Sequence, residues 1–183
     1  MTISAEEAHR VLEQAELLHD AAAVESAVGA MAQAIASRLG DRLPLVLCVM
    51  TGGLIPAGML LPKLQFPLEL DYLHATRYTG ATRGGELSWL ARPQSPLRDR
   101  SVLIIDDILD EGYTLAGIIE YCRAQGAREV FTAVLVDKHH DRRFGKLRAD
   151  FVGLTVDDRY VFGAGMDYKG LLRNLPGIYA ANC

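Results

Sequence analysis

The sequence predicts an α/β fold in which a central, mainly parallel sheet is flanked by helices and carries a small hood. Uncharged apolar runs at residues 102–105 and 130–136 are typical of strands buried on both faces of such a sheet. Helical periodicity alternates with these runs, which favours parallel strands joined by right-handed crossovers. The segment from about residue 150 to residue 183 is instead rich in short strands and loops, which indicates a hood.

The elements follow in order from the N-terminus. Ser4 and Glu7 have the spacing of a capping box and predict a first helix whose apolar face extends to Leu18. A second helical pattern runs from residue 24 to residue 39, with Gly40 placed to end it. Strands are predicted at residues 43–50, 68–76, 85–93, 101–106, 130–136, 151–156, 160–163 and 177–180. Further helices are predicted up to about residue 61 and over residues 113–125. We expect one domain over residues 1–183, with a hood made of the N-terminal helices and residues from about 150 to 183.

Composition excludes several classes of function. The 183 residues carry a formal net charge of −4, which argues against a nucleic-acid partner. The chain has neither an N-terminal signal pattern nor an apolar run of membrane-spanning length, so we expect a cytoplasmic protein without a membrane partner. The three cysteines, Cys48, Cys122 and Cys183, lack metal-ligand spacing and are expected to be free thiols.

The most informative stretch covers residues 102–115. Its apolar strand runs into Asp106 and Asp107, and a second acidic pair precedes the turn that opens a helix. Acids at the end of such a strand lie at the rim of the sheet, where open α/β folds bind ligands. The backbone N–H groups of the turn and the helix dipole suit a phosphate. The segment therefore offers carboxylates for hydroxyls or a metal, and amides for a phosphate, as a phosphorylated sugar requires.

This segment resembles the ribose-phosphate motif of the type I phosphoribosyltransferases, and most closely their bacterial-type hypoxanthine-guanine branch. Five positions match: Asp106, Asp107, Asp110, Gly112 and Thr114. Glu111 stands where the family usually has Thr or Ser, and Tyr113 where Lys or Arg is common. The resemblance implies that Asp106 and Asp107 hold the ribose hydroxyls and that residues 110–114, including Glu111 and Tyr113, hold the 5-phosphate. Glu111 also suits the first turn of a helix.

Two loops resemble the pyrophosphate-binding parts of the same family. Residues 51–53 follow a predicted strand as the family's pyrophosphate loop does, and the resemblance implies a cis peptide bond between Met50 and Thr51. The Gly- and Thr-rich segment 77–87 resembles the family's mobile lid, which excludes water. The residues implied around the pyrophosphate are Thr51, Gly52, Gly53, Arg77, Tyr78 and Arg173.

The base-binding side is implied by two later segments. The charged run 137–143 is typical of a solvated loop, and His139 and His140 make a poor metal site without a third ligand. Lys138, however, matches the family lysine that donates to the 6-oxo group of a purine. Tyr160 matches the aromatic residue that stacks on the base, and Val161 matches the residue whose carbonyl meets the exocyclic position. The purine-binding set implied by the resemblance is Lys138, Tyr160, Val161, Met166 and Asp167.

The resemblance implies transfer of a 5-phosphoribosyl group from phosphoribosyl pyrophosphate to hypoxanthine or guanine, which gives IMP or GMP and pyrophosphate. It implies Mg²⁺ as cofactor, with Asp106, Asp107 and Asp167 as the metal-binding residues. Asp110, near the base, is the expected general base. Small molecules are the expected partners, and a homodimer or homotetramer is usual for the family.

Three alternatives stay open on the sequence alone. The base is an oxopurine if Lys138 and Tyr160 act as implied, but xanthine, adenine or a pyrimidine are rivals. A non-catalytic regulator that senses a nucleotide on the same fold is a second possibility, suggested by Glu111 and Tyr113. A magnesium-dependent phosphotransfer or receiver domain is the third, because paired acids after a strand also occur there.

Overall fold

The computed structural model describes residues 3–77 and 87–182. Its four α-helices are α1 (Ala5–Gln14), α2 (Ala21–Leu39), α3 (Leu54–Leu60) and α4 (Tyr113–Ala124). The strands of the main sheet are β2 (Leu45–Val49), β3 (Glu69–Arg77), β4 (Leu87–Ala91), β5 (Ser101–Leu109), β6 (Glu129–His139) and β7 (Phe151–Asp157). The short strands β1 (Glu16–His19), β8 (Val161–Phe162) and β9 (Ile178–Ala180) form a second sheet. None of the helices in the described ranges is long and apolar enough to cross a membrane.

The main sheet has the strand order β4-β3-β2-β5-β6-β7. All neighbours are parallel except β3 and β4, which are antiparallel. Because β2, β3, β5 and β6 are parallel to one another, their carboxyl ends meet at one edge of the sheet. This architecture is the α/β class that the alternating apolar runs predicted.

The core lies on both faces of this sheet, which explains why its strands lack polar alternation. Val46 and Cys48 face a cluster that includes α2 and α3, whereas Leu45 and Leu47 face the cluster that contains α4. Every residue of β2 is buried as a result. Cys48 and Cys122 are free thiols in the core, as predicted, and burial raises the pKa of each to about 11.

The hood differs from the sequence-based expectation in two places. Leu18 lies in β1, not in the first helix, because the chain becomes extended at Ala15 and pairs with β9. That pairing partner is 164 positions away along the chain, because Glu16 lies opposite Ala180, so no local pattern indicates it. Residues 151–157 form the edge strand β7 of the main sheet against α2, so the C-terminal part of the hood starts at β8.

Strands β5 and β6 are also longer than predicted, and this extension positions the site. The pairing of β2 with β5 ends at Ile105, whereas β5 continues beside β6 as far as Leu109. Asp106 and Asp107 therefore lie in the last part of a strand that has a neighbour on one side only. The loop after β2 fills the other side and brings the two acids to the rim of the sheet.

Candidate active site

A cavity of about 530 Å³ opens at the carboxyl edge of the parallel strands. The loop after β2, the ends of β3 and β5, the turn before α4 and part of the hood form its walls. Its predicted site residues are Thr51, Gly52, Asp106, Asp107, Asp110, Glu111, Gly112, Tyr113, Thr114, Asp167 and Arg173. The structure therefore brings together residues from separate parts of the sequence that had been assigned to a phosphorylated sugar, to its pyrophosphate and, for Asp167, to the base and the metal.

The loop after β2 is pressed against β5. The peptide bond between Met50 and Thr51 is cis, as predicted. A Cβ placed on Gly52 would overlap the Asp107 carboxylate, and one on Gly53 would lie 2.6 Å from the carbonyl oxygen of Ile105. Because only hydrogen fits at these two positions, the diglycine lets backbone amides approach the acids closely. Gly53 itself is tied to the strand, since its N–H donates to the Val49 carbonyl at 2.9 Å.

The acid pair on β5 is held by its own backbone and by one arginine. The Asp107 N–H donates to Asp106 Oδ1 at 2.9 Å, and the Ile108 N–H donates to Asp107 Oδ1 at 2.8 Å. Burial, reinforced by the Asp107 charge, raises the pKa of Asp106 well above its ordinary value. Burial also raises the pKa of Asp107, although hydrogen bonding to Asp106 and the Arg173 charge oppose that rise. Such a pair favours positively charged or hydroxyl-bearing ligands.

The turn before α4 presents backbone amides to the cavity. Gly112 has φ of +86° and is the N-cap of α4, where no side chain makes a capping hydrogen bond. The first backbone bond of the helix runs from the Ala116 N–H to the Gly112 carbonyl at 2.9 Å. The first turn of this 12-residue helix therefore lines the cavity with its backbone N–H groups and the positive end of the helix dipole.

The loop after β6 supports this turn from behind. The Phe144 N–H donates to the Glu111 carbonyl at 2.8 Å. The rings of Tyr113 and Phe144 lie 4.8 Å apart at 43°. Tyr113 therefore packs against an aromatic ring. In the family that the motif resembles, the same position is commonly Lys or Arg. Arg142, from the same loop, also lines the cavity and makes two hydrogen bonds to Asp158, at 2.6 and 2.8 Å.

Asp110 is held by a donor at each carboxylate oxygen. Lys138 Nζ donates to Oδ2 at 2.5 Å, and His140 Nε2 lies 2.7 Å from Oδ1. Burial opposes ionisation of Asp110, but the hydrogen bond and charge of Lys138 and the hydrogen bond from His140 outweigh it and hold its pKa below the ordinary value. The carboxylate is therefore charged at neutral pH. It lines the 530 Å³ cavity described above, called the large cavity from here on.

A second cavity of about 280 Å³ adjoins the first. Its walls contain every residue of the predicted purine-binding set. They also contain Asp107 and Asp110, which line the first cavity as well. Its lining is Asp107, Ile108, Asp110, Lys138, Tyr160, Val161, Met166 and Asp167. The Tyr160 ring is 47% exposed and packs edge-on against Tyr168, with ring centres 5.3 Å apart. One face of the Tyr160 ring is thus open in the cavity that Lys138 also lines. This arrangement suits a flat ligand ring with polar substituents.

Arg173 connects the hood to the acids of the large cavity. Its Nη2 lies 2.5 Å from Asp167 Oδ1, and its Nη1 lies 3.6 Å from Asp107 Oδ2. Nη1 also donates to the Gly165 carbonyl at 2.6 Å. The predicted metal-binding acids do not form a preformed cluster, because no group of three ligating side chains occurs within residues 3–77 and 87–182. Asp107 and Asp167 are instead bridged by this arginine.

Comparison with known proteins identifies the family. A family model described as the phosphoribosyl transferase domain matches residues 14–169, which is most of the chain. The protein belongs to this family. It is 32% identical to the hypoxanthine-guanine phosphoribosyltransferase of Bacillus subtilis (strain 168) over 156 residues, which cover 85% of this chain and 86% of the relative. The hypoxanthine-guanine-xanthine phosphoribosyltransferase of Tritrichomonas foetus is 30% identical over 138 residues, or 75% of each chain.

Solved structures agree with this assignment. A hypoxanthine phosphoribosyltransferase from Staphylococcus aureus matches with a TM-score of 0.88 at 25% identity, and the match covers 98% of this chain and 97% of that one. The predicted fold class and the predicted resemblance to phosphoribosyltransferases are both confirmed. Membership in the family also sets aside the receiver-domain alternative.

The candidate site contains residues that the sequence did not single out. His140 and Arg142 were assigned to a solvated loop, yet one bonds Asp110 and the other lines the cavity. The sequence carries no local signal for His140, because this residue lies beyond the end of β6 in a charged run. Arg77 ends β3, and Tyr78 and the rest of the predicted lid to residue 86 lie outside the described residues.

Proposed function

We propose that this protein is a purine-salvage enzyme that transfers 5-phosphoribosyl from phosphoribosyl pyrophosphate to hypoxanthine or guanine, giving IMP or GMP and pyrophosphate. The observation that carries this proposal is the adjacency of the two cavities. They share Asp107, Ile108, Asp110 and Asp167. A sugar phosphate in the first cavity and a base in the second would meet beside Asp110. The names of relatives at 30–32% identity support an oxopurine as the acceptor.

The large cavity suits phosphoribosyl pyrophosphate at each of its parts. The amides at the start of α4 would bind the 5-phosphate. Asp106 and Asp107 would accept hydrogen bonds from the ribose hydroxyls. The amides of Thr51 and Gly52 would bind the pyrophosphate beside Gly53, whose own N–H already donates to the Val49 carbonyl. Arg173 already lies between Asp107 and Asp167 and would turn towards the same anion. The closure of the lid that begins at Arg77 and Tyr78 is part of this proposal.

The small cavity suits a 6-oxopurine. Lys138 would donate to the 6-oxo group, and the exposed face of Tyr160 would stack on the ring. The Val161 carbonyl would meet the exocyclic position, with Met166 and Asp167 completing the walls. Adenine would place an amino group against the lysine, so two donors would face each other there. This arrangement favours hypoxanthine and guanine over adenine.

The residues present fit a Mg²⁺ site in which the protein supplies some of the ligands and the bound substrate supplies others. Magnesium is usually bound by one or two carboxylates, with substrate phosphates and water as the other ligands. Asp107 and Asp167 lie within reach of one arginine, and Asp106, next to Asp107, adds a third carboxylate. These acids would hold the ion, which would supply positive charge to neutralise the pyrophosphate.

The chain's own residues then account for the transfer. The bond between the ribose anomeric carbon and the pyrophosphate oxygen breaks, and the electron pair leaves with pyrophosphate. A purine ring nitrogen forms the new bond to that carbon, and the displaced ring proton passes to an Asp110 oxygen. The positive character that develops on the sugar would be stabilised by the nearby acids, and the lid that we propose for residues 77–87 would keep water away.

Product analysis tests the proposal. Purified protein is incubated with phosphoribosyl pyrophosphate, Mg²⁺ and hypoxanthine, guanine, xanthine or adenine, and nucleotides are separated by chromatography. We expect IMP and GMP, no AMP, and a turnover in D110N lower by about 10²-fold with IMP affinity nearly unchanged. XMP as the main product would favour the xanthine alternative, which the name of the Tritrichomonas foetus relative supports. IMP binding without turnover of any base would favour a sensor.

We also expect a homodimer or homotetramer. Leu70 and Tyr72 on β3 are 54% and 49% exposed, and Leu90 on the neighbouring β4 is 67% exposed. Residues 70 and 72 lie on one face of β3, opposite the side that packs on α4. An exposed apolar group of this kind is typical of an interface. Light scattering should give a mass of at least twice 20.0 kDa for the native chain and a smaller assembly for Leu70→Asp.

A further inference from the structure

His140 has a defined hydrogen-bonding role that its neighbour His139 does not share. The His140 side chain is 2% exposed, whereas His139 is exposed at the end of β6. The Arg142 N–H donates to His140 Nδ1 at 3.0 Å, so Nδ1 is the acceptor nitrogen of the ring. The proton of the neutral imidazole is therefore on Nε2, which donates to Asp110 Oδ1 at 2.7 Å.

The two donors to Asp110, Lys138 and His140, differ in whether they can leave it to bind a ligand. Lys138, whose amine is bound to Oδ2 at 2.5 Å, lines the base cavity and would leave Asp110 for the 6-oxo group of a bound purine. His140 does not line that cavity, and both of its ring nitrogens are already engaged with protein groups. When the purine takes Lys138, Oδ2 becomes the open acceptor while Oδ1 keeps its donor.

We propose that His140 is the positioning residue for Asp110: it holds Oδ1 throughout the reaction so that Oδ2 faces the purine ring proton once Lys138 has moved to the base. This inference rests on the proposed function, because it assigns Asp110 as the general base. It explains a buried imidazole in an otherwise charged loop. It also makes the orientation of the carboxylate independent of the lysine that binds substrate.

Two amide substitutions separate hydrogen bonding from packing. Gln places its amide nitrogen about as far from the backbone as imidazole Nε2, whereas the shorter Asn cannot reach Asp110. We expect H140N and H140L to lower kcat about tenfold, with KM for phosphoribosyl pyrophosphate within about twofold of the native value. H140Q should recover most of the rate. H139L is the matched control and should behave as the native protein.

A carboxyl NMR titration gives a readout that does not need turnover. The titratable and charged groups around Asp110 are Lys138, His140, Arg142, Glu111, Asp107 and Asp167. Because the His140 N–H stabilises the charged carboxylate, its loss should move the titration midpoint of Asp110 to higher pH in H140L and H140N. The midpoint should stay close to the native one in H140Q and H139L. The acid limb of the rate profile should move in the same direction.

The outcomes separate this inference from the proposed function. Native protein without turnover would contradict the proposed function, and the Asp110 titration would still decide whether His140 holds that carboxylate. Native turnover with kcat and Asp110 midpoints in H140N and H140L equal to those in H139L would overturn the role of His140. A rate loss in H140N that H140Q shares fully, with no shift of either midpoint, would also overturn it, because packing alone would then explain the effect.

Discussion

The backbone of Gly165 in the hood packs directly on the carbonyl oxygen of Gly52 in the loop after β2, so that a Cβ on Gly165 would overlap that oxygen. Arg173 secures the same point, since its backbone carbonyl accepts from the Gly165 N–H at 3.0 Å and its Nη1 donates to the Gly165 carbonyl at 2.6 Å. The loop assigned to pyrophosphate and the segment assigned to the base are therefore in backbone contact. Their relative position depends on the absence of one methyl group.

Replacing Gly165 with Ala should disturb both binding sites. Gly165 has φ of +111°, a conformation that is strained for Ala, and the added Cβ must also displace Gly52. We expect a loss of about 1–3 kcal/mol in the free energy of unfolding, measured by urea denaturation, and a marked loss of activity. Gly170→Ala is the control, because Gly170 has φ of +91° but no atom within 4 Å of its Cβ position. Equal activity in the two variants would contradict the importance of the contact.

A methyl group on Gly52 should act on chemistry more than on stability. The Cβ of Gly52→Ala would overlap the Asp107 carboxylate, which has to rotate away from the cavity. We expect affinity for phosphoribosyl pyrophosphate, measured by calorimetry, to fall about tenfold or more, with unfolding free energy changed by only about 1 kcal/mol. Gly58→Ala, at an exposed position of α3 with nothing within 4 Å, should leave affinity unchanged. Native affinity in Gly52→Ala would show that Asp107 does not face this ligand.

The sequence predicted which residues lie close together best where a motif coincides with the end of a strand. Residues 106–114 lie together because β5 and α4 are local and strongly patterned, and the same reasoning placed Lys138 at the end of β6. It failed where the decisive contact is distant. The strand β1 exists because β9 pairs with it, and its residues alone continue a helical pattern.

The same limit applies to the loop after β6. Its charges indicate solvent exposure, but Arg143 turns inwards to donate to Asp137 at 2.5 Å and to the Lys138 carbonyl at 2.6 Å. These bonds fold the loop back and bury the His140 imidazole against Asp110. Composition describes how many charges a segment has, whereas their partners depend on the tertiary fold.

Lys138 should influence both base affinity and the ionisation of Asp110. Lys138→Met keeps the length of the side chain but removes a donor and a positive charge, each of which lowers the pKa of Asp110. We expect KM for hypoxanthine to rise about 10- to 100-fold and the acid limb of the rate profile to move to higher pH, because the freed carboxylate protonates more readily. Affinity for phosphoribosyl pyrophosphate should change little. Lys169→Met, which removes an exposed lysine paired with Glu7, is the control. Calorimetry showing equal losses for both ligands would contradict the assignment of Lys138 to the base.

Tyr160 should contribute through its ring and not through its hydroxyl. The ring is 47% exposed and is supported on one side by Tyr168, so a face is open to the base cavity. Tyr160→Leu should cost about 1–3 kcal/mol of base affinity, seen as a rise in KM for hypoxanthine of roughly 5- to 150-fold, because stacking on the purine is lost. Tyr160→Phe keeps the ring and should stay within about twofold of the native KM. Since the ring is half exposed, both variants should unfold at nearly the native urea concentration. A native KM in Tyr160→Leu would mean that the base lies elsewhere. A large rise of KM in Tyr160→Phe would instead show that the hydroxyl is the important group. That hydroxyl lies 3.5 Å from the backbone nitrogen of Lys169.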